Sequence, residues 1–371
     1  MGIDMKKFLV LMIFLMTCRV EAAGWSPELR IGLLSGVEQI TLKVSAPCIM
    51  IDAATKKTLI KLPAEREFCF SAARLKSDAI EIRPEKISLN DLQTTIEAKE
   101  YFGGLRLNKV SGKFTVINLV PLEEYLRGVL PEEMSPSYPL EALKAQAVAA
   151  RSFALKNRGK HKAEDFDLCD KTHCQAYVGV KEAEICDKAI VETRGEILTY
   201  KDKVVEASFH ADSGGMTENV SDVWGLKLPY LAAVKEVIEL GEPWTKKFTA
   251  KDFSSRFGDN FGEVKKIKLS KMKIGKEAND RTPSGRVKFA QIVGSKKTLK
   301  LEGKELRRKF SLPSTLFDME IKGDEVIFTG FGHGHGVGMS QTGAKSYAAD
   351  GWSYEKILSH YYQDTKLKKL Y

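Results

Sequence analysis

The chain has 371 residues, enough for one large domain or two ordinary ones, and its 43% hydrophobic content is ordinary for a globular protein. Its formal net charge of +9 is unevenly placed, because residues 246–309 hold 20 Lys and Arg against 7 Asp and Glu. This basic stretch predicts an anionic partner, and the alternative is a solvated surface with scattered lysines. No zinc-finger or RNA-binding signature accompanies the charge, so nucleic acid is not an expected partner.

Residues 1–23 predict a secretory signal peptide. Two lysines precede the apolar run Phe8–Met16, and the small residues of Val20–Ala23 provide a cleavage site. Leu15–Cys18 resembles a lipoprotein box, but Thr17 fits it poorly, so a lipoprotein is not favoured. The run is too short to span a bilayer, and no later stretch is long and apolar enough to do so. We therefore expect export to the periplasm or cell envelope.

Residues 24–110 predict a β-rich region. The segments QITLKV and AIEIRP alternate between apolar and polar positions, as does GKFTVINLV just beyond that region. The pattern changes at Pro121, where PLEEYLRGVL predicts a short helix that PEEMSPSYP should end. A long helix is expected from Pro139 to about Asn157, with Ser137 as its cap and Gly159 as its stop.

The remainder of the chain predicts strands around a few helices. A loop rich in Asp, Cys and His runs from Gly159 to Cys174, strand-like segments recur after it, and SYEKILSHYY predicts an amphipathic helix. The fold class is therefore α+β. We expect a catalytic domain at 111–371 with a basic, β-rich insertion at about 246–310, and the β-rich region as an N-terminal extension.

Glu133 is the first candidate for chemistry. A carboxylate just before the long helix would lie near the positive end of the helix dipole, and the adjacent Met134 suggests partial burial, which would raise its pKa. A poised carboxylic acid is what glycosidic bond cleavage needs to protonate the leaving oxygen. The alternative is a surface glutamate near a helix start.

The cysteines leave two interpretations open. Thiolates and imidazoles are the ligands that zinc favours, and four are close in sequence: His161, Cys169, His173 and Cys174. Because export favours oxidation, a disulfide Cys174–Cys186 or Cys169–Cys174 is the alternative, and Cys48 and Cys69 could also pair. Five cysteines follow the leader, so at least one is free, metal-bound or paired between chains.

The segment FGHGHGVGMSQTGA places His333 and His335 between glycines near the C-terminus. Glycines allow unusual backbone angles and close approach of a sugar chain to the main chain. A substrate-contacting loop is the favoured interpretation, with a structural turn or a metal chelate as alternatives. Around Ser213, HADSGG lacks the nucleophile elbow of a serine hydrolase.

Several ordered blocks resemble the SpoIID/LytB family of bacterial cell-wall proteins. They span roughly Val116 to Tyr362 and read YLRGVLPEEMSPSYPLEALKAQAVAARSFAL, CQAYVGV, SFHADSGGMTENVSDVWG, PYLAAV, SGRV, LPSTLF and GFGHGHGVGMSQTGAKSYAADGWSYEKILSHYY. Several blocks in a fixed order are far more specific than one short motif. The chain is thereby identified as a member of this family.

The resemblance implies a lytic transglycosylase of peptidoglycan, acting on glycan strands stripped of stem peptides and leaving 1,6-anhydro-MurNAc ends. It implies Glu133, not Glu132, as the catalytic acid. Lys144 and Arg151, seven residues apart on one helix face, correspond to family polar residues that could bind the lactyl carboxylate of MurNAc. Further implied binding residues are Asp212, Ser213, Thr217, His335, Ser340 and Gln341.

The resemblance also implies a structural zinc beside the catalytic glutamate, since some members carry a comparable Cys and His set. His161 is the weakest of the four ligands because its spacing to Cys169 is longer than in those members, and Cys186 or water could replace it.

Other members enhance an amidase, so a non-catalytic wall-binding enhancer of an amidase is the alternative function. A zinc amidase using His333 and His335 is a third. The family's role in sporulation is not carried over to this chain.

Overall fold

A computed structural model describes residues 26–86, 88–237 and 240–371. Its mixture of helices and strands confirms the α+β class predicted from the sequence. The predicted signal peptide lies outside the described residues. Among the helices of the described part of the chain, none has the length and apolar character needed to cross a membrane.

The strands of the described residues form several separate sheets. In chain order they are β1 (Glu28–Val37), β2 (Gln39–Val44), β3 (Cys48–Asp52), β4 (Thr58–Leu62), β5 (Glu67–Ser71), β6 (Ala79–Pro84), β7 (Gln93–Ile96), β8 (Lys99–Phe102), β9 (Gly104–Val110), β10 (Lys113–Pro121), β11 (Leu168–Cys169), β12 (Glu196–Tyr200), β13 (Lys203–Val204), β14 (Phe209–His210), β15 (Trp244–Thr249), β16 (Val264–Lys268), β17 (Phe289–Gly294), β18 (Thr298–Glu302), β19 (Phe317–Lys322), β20 (Glu325–Gly330), β21 (Met339–Ser340) and β22 (Lys366–Lys369).

The α-helices of the same residues lie mainly after the N-terminal strands. They are α1 (Leu122–Glu133), α2 (Leu140–Lys156), α3 (Glu184–Glu192), α4 (Val220–Trp224), α5 (Ala250–Ser255), α6 (Gly303–Phe310), α7 (Gln341–Ala349) and α8 (Tyr354–Tyr361). The long helix predicted from Pro139 to about Asn157 is α2.

The largest sheet joins the N-terminal region to the predicted catalytic domain. Its strand order is β11-β1-β10-β9-β6-β3-β4, and β1 runs antiparallel to β10 with Glu28 opposite Pro121. A four-stranded sheet, β5-β2-β7-β8, lies alongside in the same part of the chain. One hydrophobic core extends from Leu29 to Tyr362, so the β-rich region and the helices are packed together.

Helix α2 is the centre of the helical layer. It contacts α1, α3, α7 and α8, and also strand β12. Its predicted small-residue face is fully buried, with Leu143, Ala147, Ala150 and Ala154 at 0% exposure. Small side chains let neighbouring helices approach closely, which explains the alanine stripe.

A second core forms within the predicted basic insertion. It contains Phe253, Phe310 and Phe328 and takes strands from two small sheets, β15-β20-β19 and β16-β17-β18. Aromatic stacking dominates this core, since the Phe253 and Phe310 rings lie 4.8 Å apart at an interplanar angle of 11°. The predicted insertion is therefore part of a compact unit with its own core, which extends past residue 310 to Gly330.

Candidate active site

Glu133 is the last residue of α1, not a residue at the start of α2. The sequence-based prediction that the first helix ends before Pro131 is wrong. Helix α1 continues through Pro131 and ends at Glu133. The Met134 N–H, at the C-cap, donates to the Leu130 carbonyl at 3.0 Å. Proline removes one donor, and a single loss in the last turn does not end this helix. The carboxyl therefore lies at the negative end of α1, seven residues before Leu140 begins α2.

The Glu133 carboxyl is half-buried and has one backbone donor. Burial raises its pKa above the ordinary glutamate value. The Ala176 N–H donates to Oε1 at 2.7 Å and opposes this rise, while the neighbouring charge of Glu132 adds to it. Glu132 is itself exposed and ion-paired with Lys181. The predicted raised pKa of Glu133 therefore has burial as its main cause.

Ala176 belongs to the loop that carries a cluster of four potential metal ligands. The ligand atoms of His161, Cys169, His173 and Cys174 all lie within 4.8 Å of one another. Cys174 Sγ is 3.5 Å from His161 Nε2 and 3.7 Å from His173 Nδ1, and Cys169 Sγ is 3.7 Å from the same nitrogen. Tetrahedral zinc with S and N ligands requires ligand–ligand separations of about 3.3–3.8 Å. These three separations match this range, so the donor types and these contacts fit a zinc ion.

The fold of the loop brings His161 to the two cysteines despite its distance in sequence. Strand β11 pairs in parallel with β1, which places Cys169 opposite Gly32. A side chain at Gly32 would lie 2.6 Å from the Phe166 ring, and that ring stacks on His161 at 4.8 Å. The tight packing at Gly32 therefore orients the imidazole that sequence spacing made the weakest ligand.

The described cysteines are all free thiols, so the alternative disulfides do not form in this structure. This includes Cys48 and Cys69, the first buried and the second exposed. Cys186 lies buried in α3 and is not a member of the ligand cluster.

A cleft of about 450 Å³ begins at Tyr138, five residues after Glu133. It is lined by Asp212 and Gly214, by Phe331 and Gly332, and by a face of α7 that includes Lys345. The Lys345 ammonium lies 4.9 Å from the centroid of the Tyr138 ring. Glu133 is not among the residues that line this cleft. The loops that contain Asp212 and Phe331, both implied as substrate-binding, therefore meet next to Tyr138, in the segment that follows Glu133.

Glycines hold the two loops of this cleft against each other. Asp212 and His333 exchange backbone hydrogen bonds of 3.0 and 2.8 Å, and a side chain at Gly332 would lie 2.9 Å from the Asp212 carbonyl. Gly338 has a φ of +73°, and a side chain there would overlap the Ser208 carbonyl. Only glycine satisfies both the backbone angle and the close approach. The glycines of the His333 segment therefore fix the shape of the cleft wall.

We compared the sequence of this chain with protein families and with known proteins. The family described as SpoIID, Stage II sporulation protein, matches residues 110–200, and a domain of unknown function (DUF8618) matches residues 242–338. Stage II sporulation protein D of Bacillus subtilis (strain 168) is 36% identical over 270 residues, covering 67% of this chain and 75% of that protein. The same protein of Bacillus amyloliquefaciens is 34% identical over 275 residues, covering 67% and 75%.

This chain belongs to the SpoIID family. A further relative is the Amidase enhancer of Bacillus subtilis (strain 168), which is 29% identical over 337 residues, or 78% of this chain and 47% of that protein. The second family match coincides with the unit that has its own hydrophobic core.

The structure places the binding residues implied by the SpoIID resemblance in two groups, one partly exposed and one buried. Asp212 lines the cleft, whereas Ser213, Thr217, Ser340 and Gln341 are buried. Ser213 donates to Glu236, Thr217 binds the Val234 backbone, and Ser340 caps α7 by accepting from the Gly343 N–H at 3.1 Å. These contacts use the polar atoms within the protein, so they shape the cleft without facing it.

His335 lies outside this cleft and His333 is exposed. His335 Nδ1 accepts from the Val337 N–H at 3.0 Å, and its ring lies 5.0 Å from that of Trp224. Burial, with the nearby charges of Arg307 and Arg286, lowers the pKa of His335 to about 4. Among the described residues, neither histidine belongs to a group of metal ligands, so the zinc amidase alternative gains no support.

Neither Lys144 nor Arg151 is available for the substrate contact that the SpoIID resemblance implies. Lys144 is paired with Glu141 at 2.9 Å and with Glu192 at 2.6 Å. Arg151 is 0% exposed and binds Glu123 through two hydrogen bonds of 2.9 and 2.8 Å. Burial alone would raise the Glu123 pKa, but Arg151 lowers it below its ordinary value. The predicted binding role of Arg151 does not agree with this placement, because a buried ion pair excludes the ligand.

Replacing Arg151 by methionine tests that structural role. Removing one partner of a buried ion pair leaves a charge without compensation and costs about 3–5 kcal/mol. We expect such a loss in the free energy of unfolding, measured by urea denaturation. Arg158, whose side chain is 51% exposed, offers the matched control, and Arg158→Met should change stability little. Unchanged stability of Arg151→Met with weakened substrate binding would support the sequence prediction instead.

Tyr138 and Lys345 are two cleft residues that the sequence did not predict. Tyr138 lies in the proline-rich link between α1 and α2, and Lys345 projects from α7. No motif distinguishes a surface lysine near a cleft from any other. The proximity of Tyr138 to Glu133 along the chain was the one available signal.

Proposed function

We propose that this protein is an exported peptidoglycan lytic transglycosylase that acts on peptide-stripped glycan, with Glu133 as its single acid and base. The observation that carries the proposal is a half-buried carboxyl of raised pKa, bound at one oxygen by the Ala176 N–H and followed by a cleft. The membership in the SpoIID family supports the same assignment.

The chemistry requires one titrating group. Protonated Glu133 donates its proton to the glycosidic oxygen between MurNAc and GlcNAc, and GlcNAc leaves with a free O4 hydroxyl. The C6 hydroxyl of the same MurNAc forms a bond to its C1 and gives its proton to the Glu133 carboxylate. The product is a 1,6-anhydro ring, and no water is consumed. This reaction needs no second carboxylate, unlike ordinary glycoside hydrolysis.

Residues around the cleft supply binding in this proposal. Lys345 is the cation that lines the cleft, and it takes over the contact to the lactyl carboxylate that the sequence analysis gave to Lys144 and Arg151. Tyr138 offers an aromatic face to a sugar ring, and Asp212 offers acceptors to its hydroxyls. Zinc bound by His161, Cys169, His173 and Cys174 would order the loop that donates to Glu133, as a closed structural site.

The pH dependence of cleavage follows from the environment of Glu133. The first step needs the protonated acid, so kcat/KM is expected to fall as pH rises through the raised pKa. Removing the charge of Glu132 lowers the pKa of Glu133, so Glu132→Gln should move this fall to lower pH. Measuring kcat/KM against pH for both proteins checks the shift. Identical profiles would show that another group limits the rate.

A non-catalytic enhancer of an amidase is the second candidate, and the similarity to the Amidase enhancer favours it. Mass spectrometry of products from intact and amidase-treated peptidoglycan separates the two functions. Anhydro-MurNAc products support the transglycosylase. Their absence, together with stimulation of an added N-acetylmuramoyl-L-alanine amidase, supports the enhancer.

A further inference from the structure

A second and larger cavity lies between the SpoIID core and the unit with its own hydrophobic core. Its volume is about 1100 Å³, which is near the upper end of the range of about 300–1,000 Å³ for ligand pockets. One wall is formed by residues 221–225 and His335, and the opposite wall by β17, β18 and α6. It shares no lining residue with the cleft at Tyr138.

The lining of this cavity is strongly cationic. Six basic residues face three acidic ones, Glu218, Asp222 and Glu302. Lys304 pairs with Glu302 at 2.7 Å, and Lys288 pairs with Glu277 at 2.6 Å. Among the described residues, the other four cations form no ion pair with a carboxylate: Arg286, Lys300, Arg307 and Arg308. The excess positive charge therefore remains for a ligand.

Arg286 is the most unusual of these cations because it is buried at 2% exposure. It donates to the Ser213 carbonyl at 2.7 Å, the Met216 carbonyl at 3.0 Å and the Ser284 hydroxyl at 3.2 Å, and its Nε has no partner among the described residues. Burial lowers the pKa of both Arg286 and Arg307. Glu218, Glu236 and Asp212 lie close enough to raise the pKa of Arg286, but none of them forms a direct ion pair with it. An anion bound in the cavity would add to this partial compensation of a buried cation.

Trp224 supplies an exposed aromatic surface at the same cavity. Trp224 is 44% exposed and is the last residue of α4, which lines the cavity. Its ring is fixed against His335 at 5.0 Å. A rigid aromatic face beside unpaired cations suits a ligand that has both an apolar face and a negative charge. An acidic sugar has both.

We propose that this cavity is a second carbohydrate site, which binds the carboxylate of an acidic sugar through Arg307 and Arg308 and stacks the sugar ring on Trp224. The identity of that sugar as MurNAc rests on the proposed function, since a peptide-stripped strand exposes one lactyl carboxylate per MurNAc. Arg286 lies buried next to this site and binds the carbonyls of Ser213 and Met216. The loop that contains these two residues also supplies Asp212 and Gly214 to the cleft at Tyr138.

The test uses the full chain carrying Glu133→Gln, so that the probe is not cut. Tryptophan fluorescence is titrated with a GlcNAc–MurNAc tetrasaccharide, and with chitotetraose as the probe without carboxylates. Saturable quenching by the acidic probe is expected, and Trp224→Phe should remove it. Arg307→Gln with Arg308→Gln should weaken binding of the acidic probe about tenfold or more.

The matched control removes two exposed lysines of β16, Lys266 and Lys268, which do not line the cavity. The control should bind as the parent does. Equal affinity for chitotetraose, or unchanged binding in the arginine variant, would overturn the proposal. Tighter binding of poly(glycerol phosphate) than of the sugar would overturn it in favour of a phosphate polymer.

Failure of this proposal is separable from failure of the proposed function. Release of anhydro-MurNAc by the wild-type chain, compared with Glu133→Gln, reports on the catalytic proposal and not on binding at the second site. If release occurs while the arginine variant binds normally, the second site is wrong and the transglycosylase stands. If binding depends on the arginines but no anhydro sugar appears, the second site stands and the catalytic proposal fails.

Discussion

Replacing Glu133 by glutamine is expected to abolish release of 1,6-anhydro-MurNAc products from amidase-treated peptidoglycan. Glutamine keeps the size of the side chain but has no acidic proton to transfer to the glycosidic oxygen. Positioned acid–base catalysis contributes about 10²–10⁴-fold, so the loss of kcat/KM should reach that range. Product masses and initial rates, measured by mass spectrometry on wild type and variant, check the prediction.

Glu132→Gln is the matched control, since it makes the same substitution one residue earlier. Glu132 is exposed and paired with Lys181, and the SpoIID resemblance assigns it no proton transfer. This variant should retain activity near its own pH optimum. If Glu132→Gln is inactive and Glu133→Gln is active, the acid is Glu132 and the assignment to Glu133 is wrong. Equal unfolding midpoints by circular dichroism would show that neither change acts through stability.

Glu133 was predicted as the acid through the family resemblance, because a glutamate near a helix is not specific by itself, whereas the four potential metal ligands were predicted because their residue types are specific for metal chemistry. Thiols and imidazoles close together in a chain are rare outside metal or redox sites, and His161, Cys169, His173 and Cys174 do converge. The sequence could not show why His161 reaches the cluster. That depends on β11 pairing with β1, a contact between residues more than 130 positions apart.

The errors concern backbone continuity and burial. Pro131 suggested a helix end, but the neighbouring residues keep α1 intact to Glu133, so the dipole that acts on the carboxyl has the opposite sign from the one expected. Arg151 resembles a solvent-facing cation when only helix periodicity is considered. Its partner Glu123 comes from another helix, and tertiary contacts of this kind are not encoded by spacing. The same applies to Ser213 and Thr217, whose partners lie 23 and 17 residues away.

The contact between the cysteine loop and Glu133 connects the two predicted features. Ala176 follows Cys174 by two residues and donates to the catalytic candidate at 2.7 Å. Any change that disorders the ligand cluster should therefore also release the Glu133 carboxyl from its only backbone donor among the described residues. Metal binding and catalysis are expected to fail together, although the proposed reaction routes no step through the metal.

Replacing Cys174 by serine is expected to remove bound zinc, destabilise the protein and lower cleavage. Serine is a poor zinc ligand, and losing one of four ligands opens the site. A ligand that binds only the folded state stabilises it by about 4 kcal/mol when its free concentration is about 1,000 times its Kd. Losing zinc bound at that level should therefore lower the Tm of the protein by roughly 10 °C. Metal content by mass spectrometry, thermal unfolding and product release are measured on the same preparation.

Cys69→Ser is the control, because Cys69 is an exposed free thiol in β5 and belongs to no ligand group of the described residues. It should keep one zinc per chain, its Tm and its activity. Chelation of the wild type should reproduce the Cys174→Ser phenotype, and added zinc should restore the chelated wild type but not the variant. Full activity and Tm in metal-free wild type would contradict a structural zinc, and the Ala176 contact would then have to be held by the loop alone.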